Sequence, residues 1–124
     1  MSPNSQARSA YGTTAVRTAR GSEYAIFARI THTLRAVDGA AAADYPRLAA
    51  AVSENQRLWS ALAEDLMSDQ NQLPAELRAS LISLAGFVRR HSLAVLGGNG
   101  SVDLLVDINT SIMKGLRGEV EAAA

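Results

Sequence analysis

What most limits the folds open to this chain is a pair of apolar ladders with helical spacing, each interrupted by one polar residue. In the first, Leu48, Val52, Asn55, Trp59, Leu62 and Leu66 recur at alternating steps of four and three. The second, Leu77, Leu81, Leu84, Val88, His91 and Val95, repeats those steps. Such spacing places every member on one stripe of an α-helix, the seam of a bundle. Strands need period-two patterning, and no segment shows it convincingly. The 23 alanines and few β-branched runs point the same way.

Punctuation along the chain divides it into four main helices. The first starts at Ser22 as N-cap, with Glu23 in its first turn, carries Ile26, Ile30, Leu34 and Val37, and stops at Asp38-Gly39. Upstream, Tyr11, Ala15 and Ala19 recur every four residues, so residues 8–20 form a weaker extra helix at best, with Gly12 and Gly21 against it. The second helix runs from Asp44 as N-cap to about Ser68, with Pro46 in its first turn. The third runs from Pro74 to Leu96. After the break at Gly97-Gly98-Asn99-Gly100, Ser101 caps a fourth helix to about Leu116, with Leu105, Ile108, Ile112 and Leu116 as its stripe and Asn109 beside it. Short connections make sequential helices antiparallel. The expected fold is all-α, a single up-down helical bundle over residues 1–124, with 1–21 as a basic leader, helical or flexible.

Composition narrows the function. At 124 residues the chain is long enough to bury about two-thirds of its unfolded surface in one core. Having no cysteine, it has no disulfide framework, thiol nucleophile or Cys-based zinc site. Its 12 basic and 12 acidic residues cancel overall but not locally. Residues 1–35 carry five Arg against Glu23 (+4), residues 36–77 two Arg against seven acids (−5), and residues 78–124 five basic against four acidic (+1). Opposed segments of this kind pair within a bundle or face different partners. The N-terminus has no apolar core of a signal peptide, and Leu77–Val88, broken by Arg78 and two serines, is shorter than the about 20 residues of a membrane span. A cytoplasmic protein is expected.

Organised catalytic chemistry is hard to find. His32 and His91 stand far apart, and no His-Glu-x-x-His helix is present. His91 reads better as a satisfied, partly buried side chain. The i,i+4 carboxylate pairs Asp65/Asp69 and Asp103/Asp107 read as solvated polar faces. The Gly97–Gly100 loop before Ser101 lacks the Gly-Lys-Ser/Thr phosphate signature and follows a helix, so it reads as a C-cap beside an N-cap. No enzyme activity and no cofactor are expected.

Three segments carry a resemblance. Asn55-Gln56-Arg57-Leu58-Trp59, Asn71-Gln72-Leu73-Pro74 running on through Leu77-Arg78, Leu81-Ile82-Ser83-Leu84 and Phe87-Val88 to His91, and Asp107-Ile108-Asn109 through Ile112-Met113-Lys114-Gly115-Leu116 occur in this order. Together with Tyr11 they resemble the FlaF family of flagellar biosynthesis regulators of alphaproteobacteria. The pattern departs from that family at Arg20-Gly21-Ser22-Glu23, where a Pro-Arg-Glu start to the first long helix is expected.

The resemblance implies a small cytoplasmic helical protein for flagellin synthesis and export that works with the regulator FlbT and binds flagellin as export chaperones do. A helical bundle can cover an amphipathic helix of an unassembled subunit through anchors at i, i+3, i+4 and i+7. The candidate partner-binding residues are Leu58, Trp59, Asn55, Asn109, Ile112 and Met113. Trp59 fills the core or meets a partner, and Leu58, one residue off the seam, is the better groove residue. Asn55 sets bundle register or takes part in recognition. Asn109 and Met113 close the core or form an adaptable rim, and Gly115 permits a close helix approach or frays. The alternative function is an RNA-binding regulator of flagellin mRNA using Arg8, Arg17, Arg20, Arg29 and Arg35, whose affinity would fall steeply with salt. The acidic segment that follows makes nucleic acid the less favoured partner.

Overall fold

Four helices follow one another in the computed structural model, which describes the backbone of residues 13–39 and 44–123 and the side chains of 23–39 and 44–116. They are α1 (Thr13–Val37), α2 (Tyr45–Met67), α3 (Ala75–Leu96) and α4 (Val102–Ala123). Each packs on its neighbours in sequence, and α4 returns to pack on α1, so the four close an up-down ring. The α1–α4 contact is the most extensive and the α3–α4 contact by far the thinnest.

The two seam helices keep nearly the expected bounds. Pro46 sits in the first turn of α2, where its missing N–H costs nothing. Asp44 occupies the N-cap position but makes no side-chain cap, because its backbone is at φ −97°, ψ 13° instead of the extended conformation a cap needs. Ser101 does cap α4, its Oγ accepting the Asp103 N–H at 3.0 Å. Between α3 and α4 the chain makes a Schellman turn. Gly98 N–H donates to the Val95 carbonyl at 3.0 Å and Asn99 N–H to that of Ala94 at 2.8 Å, with Gly98 at φ +83°. Gly100 then passes so close to α3 that a Cβ would lie 3.1 Å from both His91 Cε1 and the Val95 nitrogen.

Both outer helices are longer than expected. Residues 13–37 form one helix, so Ser22 is not its N-cap and Gly21 lies inside it. A single interior glycine costs only about 1 kcal/mol relative to alanine, and residues 8–12 lie outside the described residues. Likewise α4 continues past Leu116 to Ala123. Because three reversals make α1 and α4 antiparallel, the two extensions fall at the same end of the bundle.

The core is centred on Phe27, Leu34, Val52, Trp59, Val88 and Leu105. Two expected stripe members are exposed: Ile26 is 43% exposed, and Leu77 45%. On α1 the buried face turns toward Phe27, Ile30, Thr31, Leu34 and Val37, one residue round from Ile26. Leu77 lies in the first turn of α3, which packs mainly on α2. On α3 His91 is partly buried and hydrogen-bonded, as expected, with Ser92 the fully buried polar residue, and on α4 Asn109 lies on the buried stripe instead of beside it.

Candidate functional site

Halfway along the bundle the polar seam residues meet. Asn109 of α4 is completely buried and uses both ends of its amide. Its Oδ1 accepts the Trp59 indole N–H at 2.9 Å, while its Nδ2 donates to Asn55 Oδ1 at 2.8 Å and to Thr31 Oγ1 at 3.1 Å. Because an indole nitrogen only donates, these contacts fix the orientation of the amide. Phe27 packs edge-on against Trp59, with ring centroids 5.8 Å apart and planes at 87°. One side chain thus ties α1, α2 and α4 together in a low-dielectric layer, where each bond is strong and each loss expensive. Among the described residues the Asn55 Nδ2 has no partner.

That arrangement relocates half of the candidate partner-binding residues. Asn55, Trp59 and Asn109 are core, and a partner can touch none of them while the bundle is closed. Leu58, Ile112 and Met113 are partly buried against the core, on different seams. Leu58 follows Glu54 by one turn, and Glu54 accepts a bond from Arg29 of α1 at 2.9 Å, which puts Leu58 on the α1–α2 edge. Met113 lies one turn from Thr110, whose Oγ1 receives Arg35 of α1 at 3.4 Å. Ile112 is on the other edge of α4. The three form no single surface. Two of the arginines proposed for RNA contact, Arg29 and Arg35, therefore already bond within the bundle. The side chains of Arg8, Arg17 and Arg20 lie outside the described residues.

A second polar cluster shapes the α2–α3 turn. Asn71 Oδ1 accepts the Leu73 N–H at 3.0 Å and its Nδ2 donates to Asp65 Oδ2 at 3.1 Å, while its own N–H donates to the Ser68 carbonyl at 3.1 Å. This local turn leads the chain straight into Pro74 and α3.

Around the thin α3–α4 contact the surface is apolar. His91 Nε2 lies 2.8 Å from the Ser101 carbonyl, which can only accept, so this nitrogen donates. Phe87, one turn before it, stacks on the imidazole at 5.8 Å and remains 37% exposed. On α4, Leu104 is also 37% exposed, and Ile108 and Ile112 follow it at steps of four, both partly buried. Among the described residues no three His, Asp or Glu side chains converge as a metal set, and no helix is long and apolar enough to cross a membrane.

The family model for the flagellar protein FlaF matches residues 7–116. The chain belongs to the FlaF family. No curated protein and no solved structure is similar enough to match it. In this FlaF chain the three segments that carried the resemblance have distinct structural tasks. The first and third supply Asn55, Trp59 and Asn109 to one buried layer, and the second builds the Asn71 turn and the exposed edge of α3. Thr31 and Phe27 complete the layer and were missed in the sequence. The available signal was the fourfold step from Phe27 to Thr31 on the face that holds Leu34.

Proposed function

We propose that this flagellar protein is a cytoplasmic binding protein, a flagellin chaperone or adaptor in flagellin synthesis and export that acts together with FlbT, with no catalytic role. Its FlaF membership supports the flagellar context. The observation that carries the binding role is the strip of partly exposed apolar side chains, Phe87 and Leu104 foremost, beside the thinnest contact between neighbouring helices of the ring. A stable monomer gains nothing from leaving large apolar groups in water, whereas a helix-binding protein needs them there. Holding an amphipathic helix of flagellin against this strip would keep the subunit from polymerising by covering the surface it uses with other subunits.

Titration calorimetry of the purified chain with monomeric flagellin, at micromolar concentrations, should give a saturable complex of fixed stoichiometry. The same titration with FlbT, alone and after flagellin, distinguishes a shared adaptor from a single-partner chaperone. Absence of heat and of co-elution with flagellin overturns the proposal.

A further inference from the structure

We infer that the outer face of α3 is a second docking surface, fitted to an acidic segment of a partner protein that sets one apolar side chain between two carboxylates. It lies apart from the strip proposed for flagellin, so it goes beyond that reading and gives the bundle a second partner.

Three side chains of α3 make the surface. Taking the fully buried Val88 as the inward direction, at about 100° per residue, Arg89 stands about 100° round the helix, Leu93 about 140° and Arg90 about 200°. Leu93 therefore rises one turn above the two arginines and between them. It is 63% exposed, more than any other large apolar side chain among the described residues. The Arg90 guanidinium lies along the helix over Gly86, with one terminal nitrogen 3.4 Å from where a Cβ on that glycine would stand. The absent side chain lets this second cation rest flat on the outward face. Phe87 of the strip is turned about 120° from Leu93, on the flank toward α4, so two partners can hold α3 at once.

Nothing among the described residues answers these charges. Arg89 and Arg90 are exposed and make no hydrogen bond or ion pair there, whereas Arg29 of α1 has Glu54. Helix α3 holds a single acid, Glu76, at its opposite end, about 20 Å away at 1.5 Å per residue. Tyr45 Oη donates to the Leu96 carbonyl at 2.9 Å, so the α2 edge that faces α3 runs from Tyr45 through Ala49 and Gln56 to Ser60 and carries no charge. On a chain of zero net charge, an unanswered basic pair is a local preference and not a general attraction for anions.

The chemistry of the surface selects a protein. Arginine forks pair carboxylates bidentately, and the leucine between them needs an apolar counterpart. A nucleic acid needs aromatic side chains on which to stack its bases, and the outer face of α3 has none. An anionic membrane needs a broad apolar face, which one leucine does not supply. A segment with an apolar residue flanked by Asp or Glu meets all three groups.

The probe is a fluorescein-labelled synthetic peptide with leucines set between glutamates, titrated with the full chain by fluorescence anisotropy. Saturable binding that weakens as salt rises is expected. Arg89→Glu and Arg90→Glu, at exposed positions that should leave the melting temperature unchanged, should each weaken it about tenfold. Leu93→Ser should weaken it a few-fold at every salt concentration. Arg47→Glu, the same change of charge at an exposed position of α2, should leave it unaltered. The inference falls if the native chain does not bind the peptide, or if Arg47→Glu weakens binding as much as the α3 reversals. It falls equally if a single-stranded RNA or an anionic vesicle binds more tightly than the peptide and loses affinity in the same α3 variants. Flagellin affinity should be unchanged by Arg89→Glu and Arg90→Glu. A parallel loss there means one surface instead of two and overturns the inference, whereas failure of the native chain to bind flagellin removes the chaperone role and leaves the peptide result standing.

Discussion

The Trp59 layer and the α3–α4 seam lie in one bundle, and the seam joins the two more apolar helices, yet the layer is sealed and the seam stays open. In the sealed layer, α1, α2 and α4 converge on Asn109, whose amide answers three polar groups at once, and Phe27 and Trp59 fill the space around it. At the seam, α3 reaches α4 through the His91–Ser101 bond near the connecting turn and little else, so Phe87 and Leu104 stay half in water. Polar residues at the bundle centre decide which helices must meet, because an unanswered buried amide costs more than a loosened apolar contact. Apolar residues without such a tie leave room for another molecule.

The strongest way to break this contrast is at Trp59. Trp59→Ala removes the largest buried side chain and leaves Asn109 Oδ1 unanswered, and should cost about 3–5 kcal/mol in urea unfolding. A loss near 1 kcal/mol would mean that the layer is no better packed than the seam.

Next come the amides, which sharpen the contrast by separating hub from spoke. Asn109→Ala strands the Trp59 N–H and Asn55 Oδ1 and should cost about 3 kcal/mol, whereas Asn55→Ala breaks one bond and should cost about 1 kcal/mol. The two losses should not add, with a coupling of about 1 kcal/mol in the double-variant cycle. Strict additivity would show that Asn55 and Asn109 do not act as a unit.

The smallest effect belongs to a ladder position that the bundle leaves exposed. Leu77→Ala at the exposed start of α3 should cost less than about 1 kcal/mol, against about 2–5 kcal/mol for a leucine in a sealed core. A loss in the core range would place Leu77 in a packed contact and extend the sealed core to the start of α3.

Much of this was legible along the chain. The alternating steps through Leu48–Leu66 fixed α2 and its buried face, and Gly97–Gly100 with Ser101 marked the α3–α4 turn to the residue, because spacing and caps are local physics. Ser22 and Asp44 misled for the same reason: each is a good cap by type, but helix α1 runs unbroken through Gly21 and Ser22, and Asp44 has the wrong dihedrals to cap. Ile26 and Leu77 fitted their ladders by count, yet burial depends on which neighbour stands opposite.

The sequence by itself determined the four main helices, their order and the polar members Asn55 and His91 of the two ladders, since periodicity and chain punctuation depend only on residues a few positions apart. Only the tertiary structure decided that Asn55, Asn109, Thr31 and Trp59 answer one another, and that Leu58, Ile112 and Met113 lie on separate edges. Those outcomes join residues 50 to 78 positions apart, and hydrogen bonds between distant side chains exist only once packing has removed the water that each would otherwise bind.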